Sequence, residues 1–331
     1  MLLVHGDAID PRRGHAGFVI NKFRGDQSLL MTGLDELTMR TGRPVLGVIP
    51  FLTQTWIDAE DAVAEGSYGP ADTGERAVTL RVAVIRLPHI SNFTDVDALA
   101  LEPGICVRFV RTPFALEDAD LVILPGTKAT VADLAWLRAQ GLDHALMKRA
   151  ADGRPILGIC GGYQMLGTII GDDVESGVGI VPGLGLLPVA TRFAPAKTLR
   201  RPAGYAGSVS VAGYEIHHGL VEASGGRPWF ASRPSGEEEA ALDGCQAGAV
   251  SGTLWHGIFE NDSFRRSYLD ETARLARSDF VPAAGTCFAA ARQAQFDALA
   301  DAIEASLDTG ALLRLIEHGP ARDLPALATF L

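Results

Sequence analysis

Cysteine is scarce: four residues, Cys106, Cys160, Cys245 and Cys287, are spread through 331. No Cys-x-x-Cys pair occurs and no histidine stands at zinc spacing beside any of them, so neither a disulfide framework nor a metal site is indicated. Positive charge is also in short supply, with 29 Lys plus Arg against 40 Asp plus Glu and a net charge of −11. Without basic clusters, nucleic acid and anionic membranes are disfavoured as partners. Long hydrophobic runs are missing too. The apolar start, Met1 to Val4, is broken at once by His5, Gly6 and Asp7, too short for a signal peptide or a membrane span. A reducing cytoplasm is the expected location. What the sequence does have is core-forming material: 47% apolar residues against 21% charged, enough for a globular protein of about two domains at roughly 150 residues each. The 37 Gly and 18 Pro follow no short period and read as turn punctuation.

The order of patterns is that of an α/β protein. Gly17 to Asn21 is an apolar run expected to form a strand buried on both faces, Leu29 to Arg40 a helix, and Pro44 to Pro50 a second buried strand. Between Ala62 and Arg76 the pattern fades into Gly, Pro, Asp and Glu, which places a domain boundary there. A second α/β series follows, with strands expected at 78–87, 120–124 and 155–159 and helices at 131–139 and 142–151. Further strands are expected at 209–217 and 249–255. Beyond about Leu275 the chain turns Ala-rich and helical, with Phe296, Leu299, Ile303 and Leu307 at helical spacing. The expected division is therefore 1–75, 76–275 and a helical extension over 276–331.

The chemistry concentrates in Gly158 to Gly167, GICGGYQMLG. Cys160 ends a buried strand within Gly-x-Cys-x-Gly and a helix pattern begins directly after it, the arrangement of a nucleophile on a sharp strand-to-helix turn. A helix N-terminus beside the sulfur favours the thiolate. A buried structural cysteine is the competing reading. Attack on an amide also needs a proton donor for departing ammonia and donors for the oxyanion. Among eight histidines, His256 in GTLWHGIFEND is the best candidate, because it follows a strand between Trp255 and Gly257. The backbone N–H groups of Gly161 and of Gly126 in LPGTK are candidate oxyanion donors.

Taken in order, LPGTK, GICGGYQMLG, GYEIHHG and GTLWHGIF resemble the class I type glutamine amidotransferase domain of the cobyric acid and cobyrinate diamide synthases. GFVINKFRGD at Gly17 to Asp26 and RLPHISNFTDVDAL at Arg86 to Leu99 are similar to the cobyric acid synthase branch in particular. The resemblance implies a flavodoxin-like amidotransferase domain preceded by a parallel-sheet domain of the dethiobiotin synthetase type. It also implies glutamine- and ATP-dependent amidation, with magnesium, of four peripheral carboxylates of adenosylcobyrinic acid a,c-diamide. By position, Cys160 matches the family nucleophile and His256 its catalytic histidine. Tyr214, Glu215 and His217 match a signature near the active site, and Ser91, Asn92 and Lys128 match further family positions.

Two departures stand out. The standard triad carries a Glu two positions after the histidine, where this chain has Ile258; Glu260 is the remaining candidate to orient His256, with a surface carboxylate as the alternative. The second departure is the phosphate loop. The family's synthetase domain has a Gly-rich loop with Lys and Ser or Thr that cradles phosphates, and none occurs in these residues. Asn21 with Lys22 resembles that domain's contact to the nucleotide base, and Glu60 with Asp61 its acidic pair, so the expectation is a synthetase domain without its first part. ATP binding would then fall to a separate segment or chain. Cobyrinate diamide synthase, the glutaminase subunit of a split ligase, and an inactive fragment that binds a corrinoid or a partner protein remain as alternatives.

Overall fold

The computed structural model describes residues 2–5, 15–52, 55–58, 66–69, 78–232 and 241–319. By its contacts the chain divides into two compact units, residues 56–289 and a second assembled from 1–55 and 290–331.

In the larger unit, apolar runs rich in Val, Ile and Leu cannot leave either face to water, and they form the parallel core of a seven-stranded sheet. Leu80–Ile85 lies centrally, with Ile105–Val110 on one side and Leu121–Leu124, Ile156–Ile159 and Val250–Thr253 in succession on the other. Numbered along the chain, these five strands run 2-1-3-4-5, the flavodoxin-like order, in which ligands bind beyond the carboxyl ends of the strands. Short antiparallel strands, Gly66–Tyr68 and Cys245–Ala247, finish the two edges. Helices Thr130–Ala139 and Leu142–Ala151 place Leu134, Leu137, Leu142 and Leu146 in one fully buried cluster with Val122 and Ile156. Burial of such side chains contributes ~1.5–3 kcal/mol each. Gly141, in the left-handed region at φ 72°, turns the first helix into the second.

The expected strand over 209–217 is in fact two strands in different sheets, Val209–Ala212 and Glu215–Ala223. Gly213 and Tyr214 separate them because the chain there runs against the segment after Val250–Thr253: a Cβ on Gly213 would lie 2.5 Å from the His256 carbonyl oxygen. Glu215–Ala223 pairs with the long strand Val189–Arg200, and this second sheet flanks the carboxyl edge of the first through the bridge between Tyr214 and His256.

In the smaller unit, Leu2–His5, His15–Phe23 and Val45–Pro50 form a three-stranded sheet, with the helix Met31–Thr41 between the last two strands. The helical segment expected as a separate extension over 276–331 divides instead. From Ala290 onward it belongs to this unit, and the residues before it to the larger one. The reason is a close backbone approach: Leu307 bridges Gly47, and Asp308 N–H donates to the Leu46 carbonyl at 2.7 Å. Only glycine fits there, since a Cβ on Gly47 would stand 2.1 Å from the Ser306 oxygen. Leu307 therefore ends the helix Phe288–Ser306 and does not continue it.

Candidate active site

Cys160 follows the strand Ile156–Ile159 directly and precedes the six-residue helix Gly161–Leu166. Its backbone sits at φ 51°, ψ −110°, a conformation that costs a non-glycine residue about 1–3 kcal/mol and is held only where the surroundings over-determine it. Here two bonds fix it, Cys160 N–H to the Thr253 carbonyl at 2.8 Å and Gln164 N–H to the Cys160 carbonyl at 3.0 Å. The glycines two positions either side are there for space. A Cβ on Gly162 would lie 1.9 Å from the Leu124 oxygen, and one on Gly158 2.7 Å from the Cα of Tyr163.

His256 is fully buried after Val250–Thr253. Its Nδ1 donates to Asp95 Oδ2 at 2.7 Å, and the other Asp95 oxygen accepts from Gly257 N–H at 2.7 Å. Tyr214 stacks on the imidazole with centroids 5.1 Å apart, its backbone bonded to that of His256 in both directions. The Asn92 amide lies 3.2 Å from Nε2, where its oxygen accepts from an imidazolium or its nitrogen donates to a neutral ring. Burial works against a charged ring, but the Asp95 carboxylate and a hydrogen bond with Cys160 outweigh it, and His256 is pushed up to about 10. At neutral pH the ring therefore holds its proton beside the sulfur.

Asp95 and Asn92 come from the segment after Leu80–Ile85, which brings the carboxyl ends of four parallel strands to one place. That segment is zipped to LPGTK: Ser91 N–H donates to the Gly126 carbonyl at 2.9 Å and Lys128 N–H to that of His89 at 3.0 Å. Buried Asp133 secures both loops, accepting from Thr127 Oγ1 at 2.5 Å and meeting His89 Nδ1 at 2.7 Å.

A cavity of about 240 Å³ opens at the sulfur, lined by Cys160, Gly161, Asn92, Lys128 and His217 among others. Of the residues expected at the site, Cys160, His256, Gly161, Tyr214 and His217 are thus brought together, and Gly126 packs behind the imidazole, a Cβ there falling 3.0 Å from His256 Cε1. Glu215 is buried with Oε1 4.0 Å from His217 Nε2. Glu260, the expected candidate to orient His256, is exposed, and Asp95 holds Nδ1. Asp95 lies within RLPHISNFTDVDAL, and nothing in the sequence spacing points from it to His256. Asn21 and Lys22 lie exposed on the strand His15–Phe23 of the smaller unit, with Lys22 N–H bonded to the Asn21 side chain. Glu60 and Asp61 fall outside the described residues. Among the described residues no group of three or more His, Cys, Asp or Glu side chains is arranged to hold a metal ion.

A model of the CobB/CobQ-like glutamine amidotransferase domain matches residues 81–264, more than half of the chain. The chain belongs to this family. Its CobB/CobQ-like domain carries every residue of the cavity described above. Curated relatives include the cobyric acid synthase of Streptomyces avermitilis, 55% identical over 94% of this chain and 60% of that protein, and that of Rhodococcus jostii, 53% identical over 96% and 62%. The chain thus spans about three-fifths of the length of these relatives. A crystal structure of a glutamine amidotransferase aligns with 59% of this CobB/CobQ-like chain and 98% of its own, at 20% identity and a TM-score of 0.42.

Proposed function

We propose that this chain supplies the glutaminase of a cobyric acid synthase. The observation that carries the reading is the Cys160–His256–Asp95 constellation at the carboxyl edge of the sheet, with Cys160 opening into the cavity and the other two buried behind it. The Cys160 thiolate attacks the amide carbon of glutamine, and Gly161 and Gly126 N–H groups stabilise the oxyanion. As the carbon–nitrogen bond breaks, His256 gives its proton to the leaving nitrogen, releasing ammonia and leaving a glutamyl thioester. Water then attacks the thioester, its proton returns to His256, and glutamate departs with the thiolate restored. Asp95 keeps the ring oriented and favours its protonated form at the start and end of the cycle, while Tyr214 packs against its face.

In this reading ammonia amidates the b, d, e and g carboxylates of adenosylcobyrinic acid a,c-diamide, activated with ATP and magnesium. The sequence holds no Gly-rich Lys-Ser or Lys-Thr phosphate loop, and Asn21 and Lys22 alone do not make a phosphate cradle, so the ATP step is assigned to a separate segment or chain. Glutamine and the corrinoid are the substrates, and the cytoplasm is the proposed location. Among the described residues no helix is long and apolar enough to cross a membrane.

Replacing Cys160 with Ala tests the proposal. Glutamine hydrolysis should vanish, and in a complete synthase free ammonia should still support amidation. Glutamine-dependent turnover surviving in Cys160→Ala would overturn the assignment.

A further inference from the structure

One turn of chain meets both nitrogens of the His256 ring. It is the short 3-10 helix Phe93–Val96, with Asn92 at its N-terminal cap. Asp95 N–H donates to the Asn92 carbonyl at 3.0 Å, so these two residues close the turn. From its two ends the Asp95 carboxylate meets Nδ1 at 2.7 Å and the Asn92 amide meets Nε2 at 3.2 Å. Asn92 reaches that nitrogen from the left-handed region, at φ 50°, ψ 38°, a conformation in which Asn is one of the few tolerated residues besides glycine.

The turn is anchored on both sides. Upstream, Ile90 bridges Thr127. Downstream, the chain continues directly into the buried helix Asp97–Ala100, where Asp97 accepts from the Tyr68 hydroxyl at 2.5 Å and from Asp58 N–H at 2.8 Å. A ring held at Nδ1 alone can still rock about that contact, whereas a ring held at both nitrogens cannot. An amide also suits the chemistry of this position. During glutamine cleavage Nε2 carries a proton, gives it to the leaving nitrogen and regains it. The amide oxygen accepts from Nε2–H, and after a half-turn the amide nitrogen donates to the bare ring, so neither state leaves a buried ring nitrogen unpaired. A carboxylate would serve only the first state.

We propose that Asn92 is a positioning residue for glutamine cleavage that acts through His256, fixing the Nε2 end of the ring and pairing that nitrogen in both of its protonation states. The kinetic part rests on the glutaminase reading; the grip on the ring does not. Facing the ring are Asp95 from the same turn, Cys160 from the end of the strand Ile156–Ile159, and Tyr214 across its face. Lys128, Glu175, Lys197 and His217 stand on the wall of the adjoining cavity. With all of these unchanged, removing the amide oxygen takes an acceptor from the charged ring and lowers its proton affinity, and a carboxylate in the same place raises it.

The test combines ring titration by nitrogen NMR on the full chain, labelled at histidine, with steady-state glutamine hydrolysis. The His256 signals are those lost in His256→Gln. Asn92→Gly removes the amide and leaves a residue at home in the left-handed region. Its ring should titrate roughly 1–2 pH units below the wild type, and kcat should fall about 10- to 100-fold with KM within about twofold, the scale of one hydrogen bond to a charged group. Asn92→Asp, of the same size, should titrate above the wild type and also lose kcat, because the proton is then held too firmly to leave. Ring titrations unmoved in both variants overturn the proposal and leave the glutaminase reading standing. A raised KM with kcat kept in Asn92→Gly also overturns it, since Asn92 would then touch substrate and not act through the ring. A wild type that never cleaves glutamine, with the ring titrating as stated, overturns the glutaminase reading and the catalytic role with it, while the grip on the ring stands.

Discussion

His256 is a buried cation kept charged by a carboxylate 161 positions away in the sequence. Its value in the folded protein, about 10, stands above the ordinary ~6.5 of a histidine. The stabilisation from this pairing is therefore fully present below about 6.5 and lost as pH rises through about 10. In Asp95→Asn the carboxylate's attraction disappears, burial remains, and of the charged partners only Cys160 still favours the charged ring, so its proton affinity should fall. The alkaline limb of the pH–rate profile for glutamine hydrolysis should move from near 10 towards neutrality, with the rate falling roughly 10²-fold, within the range for a displaced general acid. An unmoved limb would mean that another group sets the proton affinity. His256→Ala should lose about two to four orders of magnitude, whereas Glu260→Gln, at an exposed carboxylate, should lose less than about tenfold; steady-state kinetics on the three variants ranks them. Cys160 was legible in the sequence because its determinants, Gly158 and Gly162, are two residues away. Asp95 was not, because its role comes from two loops meeting at the ends of different strands, and no linear spacing encodes that meeting.

Elements in this fold are positioned by where a side chain cannot go as much as by where one packs. Gly162, in the first turn of the helix after Cys160, lies against the Leu124 carbonyl, backbone against backbone, so an added methyl has nothing flexible to displace. Gly162→Ala should lower stability by the upper part of the ~1–3 kcal/mol typical of overpacking, or more. Gly33, within Met31–Thr41 and with nothing inside 4 Å of an added Cβ, should gain ~0.5–1 kcal/mol on the same change, from helix propensity alone. Denaturant midpoints at unchanged slope measure both, and comparable losses at the two positions would contradict the steric account. The parallel strands were readable as continuous apolar runs, because burial on both faces leaves no alternation to mistake. The stretch over 209–217 misled for the opposite reason. Its β-forming residues, Val209, Val211, Tyr214 and Ile216, continue on both sides of Gly213, and the approach of His256 from another part of the chain is what breaks the ladder there.

At the scale of the molecule, a net charge of −11 repels a polyphosphate unless backbone donors and a Lys gather locally to offset it. The 331-residue chain should bind magnesium ATP weakly or not at all, and should not amidate a corrinoid by itself. Calorimetric titration beside a corrinoid amidation assay checks this, and micromolar affinity with turnover would show that another loop holds the phosphates. Every residue assigned to glutamine cleavage belongs to the larger unit, so hydrolysis of glutamine does not depend on that outcome. The bridge between Gly47 and Leu307 has a consequence during synthesis on the ribosome. The first 55 residues emerge early, but the segment that completes their unit begins only at Ala290. At ~5–20 residues per second the intervening 56–289 take roughly 10–50 s to translate, long enough for the larger unit to fold first. Throughout that interval the strand around Gly47, with only His15–Phe23 beside it, waits without Leu307, the period in which a trigger-type chaperone at the tunnel exit has most to protect.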